Sequence, residues 1–110
     1  MFVDNKSVKA CVCGEGQTRK ILGAGGSLMM VEVTFAKGAV GTVHSHPHEQ
    51  VSYVVRGSFE FNLDGDKRTI MAGDSVYVPS NVKHGVMAFE EGSVIVDVFT
   101  PQREDFLNNK

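Results

Sequence analysis

No stretch of this chain approaches the ~20 consecutive apolar residues that a helix needs to cross a bilayer, so no membrane role is expected. Basic charge is scarce too. Eleven lysines and arginines stand against 13 aspartates and glutamates, and no basic run exceeds the pairs Arg19-Lys20 and Lys67-Arg68. A nucleic-acid surface needs a basic stripe, so no nucleic-acid partner is expected. Cysteine is limited to Cys11 and Cys13, one residue apart. So tight a loop does not close an unstrained disulfide, and no further cysteine can complete a thiolate zinc site. Both are expected as reduced strand residues, with a redox or incidental metal role as the alternative. The opening MFVDNKSVKA lacks the basic region and apolar core of a secretion signal, which makes the cytoplasm the expected compartment. Linkers and low-complexity segments are also missing. One domain over residues 1–110 is expected, large enough to bury a core without staples.

Convincing amphipathic helices are absent before Pro101, and short alternating segments take their place. Residues 1–16 read as a lead-in strand ending in the turn Gly14-Glu15-Gly16. Gln17–Leu22 reads as a short strand stopped by Gly23-Ala24-Gly25-Gly26. In Ser27–Ala36, Met29, Val31, Val33 and Phe35 alternate with Met30, Glu32 and Thr34. Val51–Val55 is β-branched and aromatic, and Phe59, Phe61 and Leu63 share one face of the next segment. Asp64-Gly65 then signals a tight hairpin, since both residues tolerate positive φ. Lys67–Met71, Ser75–Val78, Val82–Phe89 and Ser93–Phe99 follow, each bounded by glycine, proline or acidic turn residues. About nine short strands at this spacing predict an all-β barrel or sandwich. Val94–Phe99 is apolar on both faces, so it is expected to be covered on both sides, one cover coming from a second subunit in a homodimer. Thr100-Pro101 offers a cap and a first-turn proline for a helical turn over Gln102–Leu107.

Against this apolar background, His44-Ser-His-Pro-His-Glu-Gln50 is conspicuous. His44 and His46 are two apart, so on an extended strand both imidazoles point to one face, and Gln50 keeps that parity. His84 lies on a later strand. Three imidazoles and one side-chain oxygen converging from two strands would make a site for one divalent transition metal, with Ni, Mn, Fe, Co and Zn all acceptable. Pro47 is expected to break the strand and leave His48 at the rim, outside the ligand set. Glu49 has the opposite parity and is expected to face away or to orient an imidazole from behind.

These residues resemble the two motifs of the cupin superfamily. Gly38-x5-His44-x-His46-x3-Gln50-x6-Gly57 is similar to the first, with Gln where Glu is usual. Gly73-x5-Pro79-x-Asn81-x2-His84 is similar to the second, with Asn81 in place of a glycine and Ala88 where an asparagine often sits. The resemblance implies a double-stranded β-helix (jelly-roll) barrel, a metal inside it and frequent dimerisation. A narrower resemblance, carried by the Gln ligand, by HSHPHEQ and by the ending Asp97-Val-Phe-Thr-Pro-Gln-Arg-Glu-Asp-Phe-Leu107, is to the KdgF-type cupins. It implies conversion of 4,5-unsaturated uronates to linear 4-deoxy-5-keto sugars, a small sugar-acid substrate, and an active site that includes Asp97, Phe99 and Arg103.

The residues themselves allow that chemistry. Asp97 interrupts an apolar run, where an ionised carboxylate is expensive without a partner. It is a paired structural carboxylate, a carboxylate facing solvent at a bend, or a proton carrier tuned by burial against a nearby cation or metal. Phe99 shares its strand face and would form a wall for a sugar ring. Arg103 carries a planar fork suited to a carboxylate, with Glu104 or Asp105 as competing salt-bridge partners. A metal-dependent dioxygenase and a non-catalytic module binding a sugar-like ligand are the alternatives.

Overall fold

A computed structural model describes residues 1–108. Ten strands form two antiparallel sheets: β1 Cys11–Gly14, β2 Gln17–Gly25, β3 Leu28–Phe35, β4 Val40–His44, β5 Glu49–Arg56, β6 Ser58–Leu63, β7 Asp66–Met71, β8 Ser75–Val78, β9 His84–Ala88 and β10 Ser93–Thr100. The larger sheet has the order β1-β2-β3-β10-β5-β8 and the smaller the order β4-β9-β6-β7. This is the all-β jelly-roll barrel expected from the spacing of turns.

Alternation explains the core. In β3 Met29, Val31, Val33 and Phe35 are buried, while Leu28 and Met30 are exposed. Phe59 and Phe61 enter from the smaller sheet, and Phe35 meets Phe59 edge-on at 5.1 Å between centroids. The β6–β7 hairpin turns on Asp64 and Gly65, with φ of 51° and 90°, as its sequence requires. Asn81, standing where the cupin motif has glycine, takes φ 65°, a conformation asparagine tolerates better than most residues. Gly57 is demanded by contact as well as by its φ of 78°: a Cβ there would lie 2.1 Å from the Ser93 hydroxyl.

Four local expectations change. The glycines after Leu22 do not stop β2, because pairing with β3 resumes beyond an irregularity as Ala24 opposite Met29 and Gly25 opposite Leu28. Residues 1–10 form no strand but include a single 3-10 turn, Asn5–Ser7, capped by the Asp4 carboxylate on the Lys6 N–H. The strand expected to carry both His44 and His46 ends at His44: Val40–His44 pairs with β9, and the chain bends before His46. The C-terminal helix, α1 Glu104–Asn108, starts later than the Thr100-Pro101 signal because Thr100 still belongs to β10, opposite Glu49 of β5.

Strand β10 sits between β3 and β5. Its inner residues Ile95 and Phe99 join the core. On the outer face Val98 lies opposite Met30 and Val51, and Val51 lies opposite Tyr77. Met30, Val51, Tyr53, Val55 and Tyr77 are all exposed there. Cys11 and Cys13 are free thiols, and Cys13 packs against the core. No helix among the described residues is long and apolar enough to cross a membrane.

Candidate metal centre and cavity

The barrel encloses a cavity of about 920 Å³ whose lining includes His44, Gln50, Ser52, His84, Asp97, Phe99 and Arg103. Strand parity brings in Gln50, Ser52, Asp97 and Phe99: Asp97 is paired with Ser52 and Phe99 with Gln50 across β10 and β5. His44 ends β4 and His84 begins β9, directly opposite each other. His46 belongs to neither strand. β4 has already ended and β5 starts only at Glu49, so a bend in the chain, rather than an uninterrupted strand, turns His46 inward beside them.

The three imidazoles converge. A ligating nitrogen from each of His44, His46 and His84 lies within 4.8 Å of the others. Each ring is held from behind by a backbone carbonyl two residues away. The Nδ1 atoms of His44, His46 and His84 donate to the carbonyls of Thr42 (2.9 Å), His48 (3.1 Å) and Val82 (2.9 Å). A carbonyl only accepts, so each Nδ1 carries the proton. In a neutral ring Nε2 then presents a lone pair to the cavity. Burial lowers the pKa of His46, helped by the positive Arg103, and burial lowers that of His84 to about 4. Both rings are therefore neutral near pH 7. His84 Nε2 is buried with no hydrogen-bond partner.

Gln50 sharpens the picture. Its Nε2 donates to Ser52 Oγ at 2.8 Å and to Asp97 Oδ1 at 3.3 Å, which fixes the direction of the amide. Its Oε1 consequently faces His46 Nε2 at 3.0 Å. With the His46 proton on Nδ1, both facing atoms are acceptors. Two lone pairs at hydrogen-bond distance repel unless a cation lies between them or beside them. These neutral nitrogen and oxygen donors suit a first-row divalent ion, and the three histidines could hold one.

Asp97 faces the same cavity. Ser52 Oγ donates to Asp97 Oδ1 at 2.6 Å. Burial raises the Asp97 pKa to about 6, against the lowering influence of the Ser52 hydroxyl and the positive Arg103. Phe99 packs edge-on against His46 at 5.7 Å. Arg103 is only 12% exposed. Its fork meets Asp105 through Nε (3.1 Å) and Nη2 (3.0 Å), which is the salt bridge the sequence offers as a competitor. That pairing holds Asp105 below the usual carboxylate range.

His48 is not among the converging imidazoles. Its ring stands edge-on to Phe99 at 6.5 Å, and its carbonyl supports His46. Glu49 faces outward as its parity requires, but it orients no imidazole. Its carboxylate accepts from the Tyr77 hydroxyl instead, and backbone carbonyls do the orienting. Ser52 and Phe106 were not anticipated. Ser52 shares the parity of Gln50 and Asp97 and was legible on that ground. Phe106 reaches Phe99, at 5.8 Å, only through the turn into α1.

Comparison with known proteins agrees with this geometry. The cupin domain family profile matches residues 31–99. The chain is 50% identical over 95 residues to the pectin degradation protein KdgF of Dickeya dadantii (strain 3937), covering 86% of each chain. Its fold superposes on KdgF from Halomonas sp. with a TM-score of 0.93 at 40% identity, covering 96% of this chain and 97% of that one. An RmlC-like cupin from Shewanella frigidimarina NCIMB 400 gives a TM-score of 0.91 at 44% identity, over 96% and 94% of the two chains. With its barrel, its two motifs and its converging imidazoles, this chain belongs to the cupin family and is similar to KdgF over nearly all of its length.

Proposed function

We propose that the chain is a metal-dependent enzyme that opens and ketonises 4,5-unsaturated uronates, giving linear 4-deoxy-5-keto uronates. The observation that carries this reading is the position of Asp97. A buried carboxyl is tied through Ser52 and Gln50 to the cluster of inward imidazoles, in a chain half identical to a pectin degradation protein.

His44, His46, His84 and the Gln50 Oε1 are the residues that would hold one divalent ion, Ni, Mn, Fe, Co or Zn. Bound there, such an ion supplies Lewis acidity undiminished by any anionic ligand. Arg103 then receives the substrate carboxylate through whatever part of its fork Asp105 leaves open, and Phe99 packs against the sugar ring. In the reaction the bond from C1 to the ring oxygen breaks, its electron pair going to that oxygen, while the C1 hydroxyl becomes an aldehyde carbonyl. The enol so formed loses its hydroxyl proton and gains a proton at C4. The change is an isomerisation and needs no oxidant. Asp97, ionised at neutral pH but close to its pKa, takes the hydroxyl proton and returns one to C4. Metal-loaded protein should accelerate the loss of ultraviolet absorbance of the unsaturated uronate without consuming O₂. Oxygen uptake coupled to substrate loss would favour a dioxygenase instead, and saturable binding without turnover a binding module.

The outer face of the larger sheet is proposed to pack on a second copy. A row of apolar side chains crosses four adjacent strands from Met30 through Val98 and Val51 to Tyr77, with Tyr53 beside it. Such a face is self-complementary about a two-fold axis. An obligate interface of this kind buries on the order of 2,000 Å² or more. Sedimentation should give a dimer at micromolar concentration, and a monomer there would remove the proposal. Val51→Glu should split the dimer while leaving the cavity intact.

A further inference from the structure

Strand β2 turns an arginine into the barrel. Arg19 lies opposite Val33, a core residue, and lines the cavity together with Gln17. An apolar side chain would be ordinary at that position. A guanidinium taken partly out of water requires an anion or hydrogen-bond acceptors to compensate it. Among the described residues Arg19 makes no salt bridge and no side-chain hydrogen bond; of the two acidic residues lining the cavity, Asp97 is committed to Ser52 and Gln50, and Glu15 is exposed. What Arg19 does contact is a ring: its guanidinium carbon stands 3.8 Å from the centroid of Phe106. Arg103 stands 4.2 Å from the same centroid. Both guanidinium groups therefore stand against the same ring, whose packing brings the two arginines together. The ring's negative faces hold each cation in place. Both arginines line the cavity along with Phe106, so an anion bound there lies near two positive charges. Of the two, Arg103 is already engaged by Asp105 and Arg19 is not.

We infer that Arg19 is a second carboxylate-receiving residue of the cavity, which with Arg103 forms a two-arginine clamp for an acidic sugar, and that Phe106 is the positioning residue that brings the pair together. The inference rests on the uronate reading above and adds to it. Arg103 alone offers a partly occupied fork, whereas the pair offers enough open donors for a bidentate grip on one carboxylate.

The test uses metal-loaded protein with an unsaturated uronate and with its methyl ester, which keeps the ring and removes the charge. Arg19→Met keeps an unbranched stem against Phe106 and deletes the cation. It should raise KM for the acid about tenfold, change kcat less than twofold, and leave KM for the ester unchanged. Arg19→Lys should recover only part of the loss, because a point charge replaces a fork. Phe106→Leu keeps both charges and removes the platform, so its KM for the acid should rise by a smaller factor, again without effect on the ester. Calorimetric titration with galacturonate, a uronate without the reactive double bond, reads the clamp separately from turnover. Wild-type binding should weaken about tenfold in Arg19→Met, the same loss of charge recognition. If galacturonate binding depends on Arg19 while no unsaturated uronate is turned over, the proposed reaction fails and the clamp stands. An unchanged KM for the acid in Arg19→Met, an equal rise for acid and ester, or no galacturonate binding by the wild type would overturn the clamp.

Discussion

The two sides of the cavity solve opposite problems. On the larger sheet, Gln50, Ser52 and Asp97 satisfy one another in a chain of hydrogen bonds of 2.8, 3.3 and 2.6 Å. On the other side, His44, His46 and His84 are pinned from behind by carbonyls while their inward nitrogens receive no proton from the protein. Buried polar groups in a folded chain are ordinarily paired. A cluster whose outer atoms are all paired and whose inner atoms are not is therefore organised for something external. The acid side stores a proton position, and the imidazole side stores an electron-pair geometry. Gln50 belongs to both, its nitrogen on one and its oxygen on the other.

The comparison is broken most severely by removing a ring. His84→Ala should cost more metal affinity than the roughly 10–100-fold that follows loss of an outer hydrogen-bond partner, since a direct ligand disappears. Elemental analysis of purified protein should show the ion lost in His84→Ala and His46→Ala and retained in His48→Ala. The reverse pattern for His84 and His48 would show that the wrong imidazoles had been chosen. The acid side is broken by Asp97→Asn, which is nearly isosteric and keeps a hydrogen-bond acceptor for Ser52. Metal content should stay at the wild-type level while turnover of an unsaturated uronate falls by about 10²–10⁴-fold, the usual contribution of a positioned proton carrier. An unchanged rate would exclude Asp97 from the proton transfer.

These two sides were not equally legible in the sequence. Period-two alternation puts Gln50, Asp97 and Phe99 on the cavity face, because each lies inside an unbroken strand where parity determines facing. The same rule applied to His44 and His46 reached the right cluster by a route the chain does not take, since β4 ends at His44 and the backbone bends before β5. Spacing within the cupin motif carried that assignment better than strand geometry did. Pairing between strands distant in the chain was invisible. Nothing local to His44 shows that its strand begins at Val40 and ends there against β9, and nothing local to Gly23 shows that β3 draws β2 past it. Phe106 and Arg19 are 87 positions apart and meet only because α1 folds back over the barrel.

Acidity separates the two sides without any change of ligand set. In metal-free protein, His84 has its pKa lowered from 6.5 to about 4, so between those values the unfolded chain binds more protons and stability falls as pH falls. Asp97 has its pKa raised from 3.8 to about 6, so across nearly the same interval the folded chain binds more protons and stability rises as pH falls. Each effect amounts to roughly 1–3 kcal/mol, and they oppose each other. Metal-free wild type should therefore change little in stability between pH 6.5 and 4 on account of this pair. Metal-free Asp97→Asn should lose stability on acidification through the same window, because the His84 contribution is no longer offset. Urea titrations at several pH values measure this, and parallel pH dependences for the two proteins would contradict it.

The smallest expected effect is the most selective. Ser52 is fully buried and touches both Gln50 and Asp97. Its hydroxyl donates to the Asp97 carboxylate and so favours the ionised form. Ser52→Ala removes that donor and leaves the carboxyl more dependent on Arg103, raising its pKa above the wild-type value of about 6. If Asp97 begins the reaction as a carboxylate, the acidic limb of the pH–rate profile should move to higher pH in Ser52→Ala, with the rate at alkaline pH nearly restored. Gln50 loses one acceptor for its N–H but keeps Asp97, so its Oε1 should still face His46 and the metal content should hold. The loss of stability should be about 2–4 kcal/mol, the cost of two broken buried hydrogen bonds, one of them to a charged acceptor. A variant that lost metal along with rate would mean that Ser52 supports the imidazole side as much as the acid side, and that the two halves of the cavity are one unit.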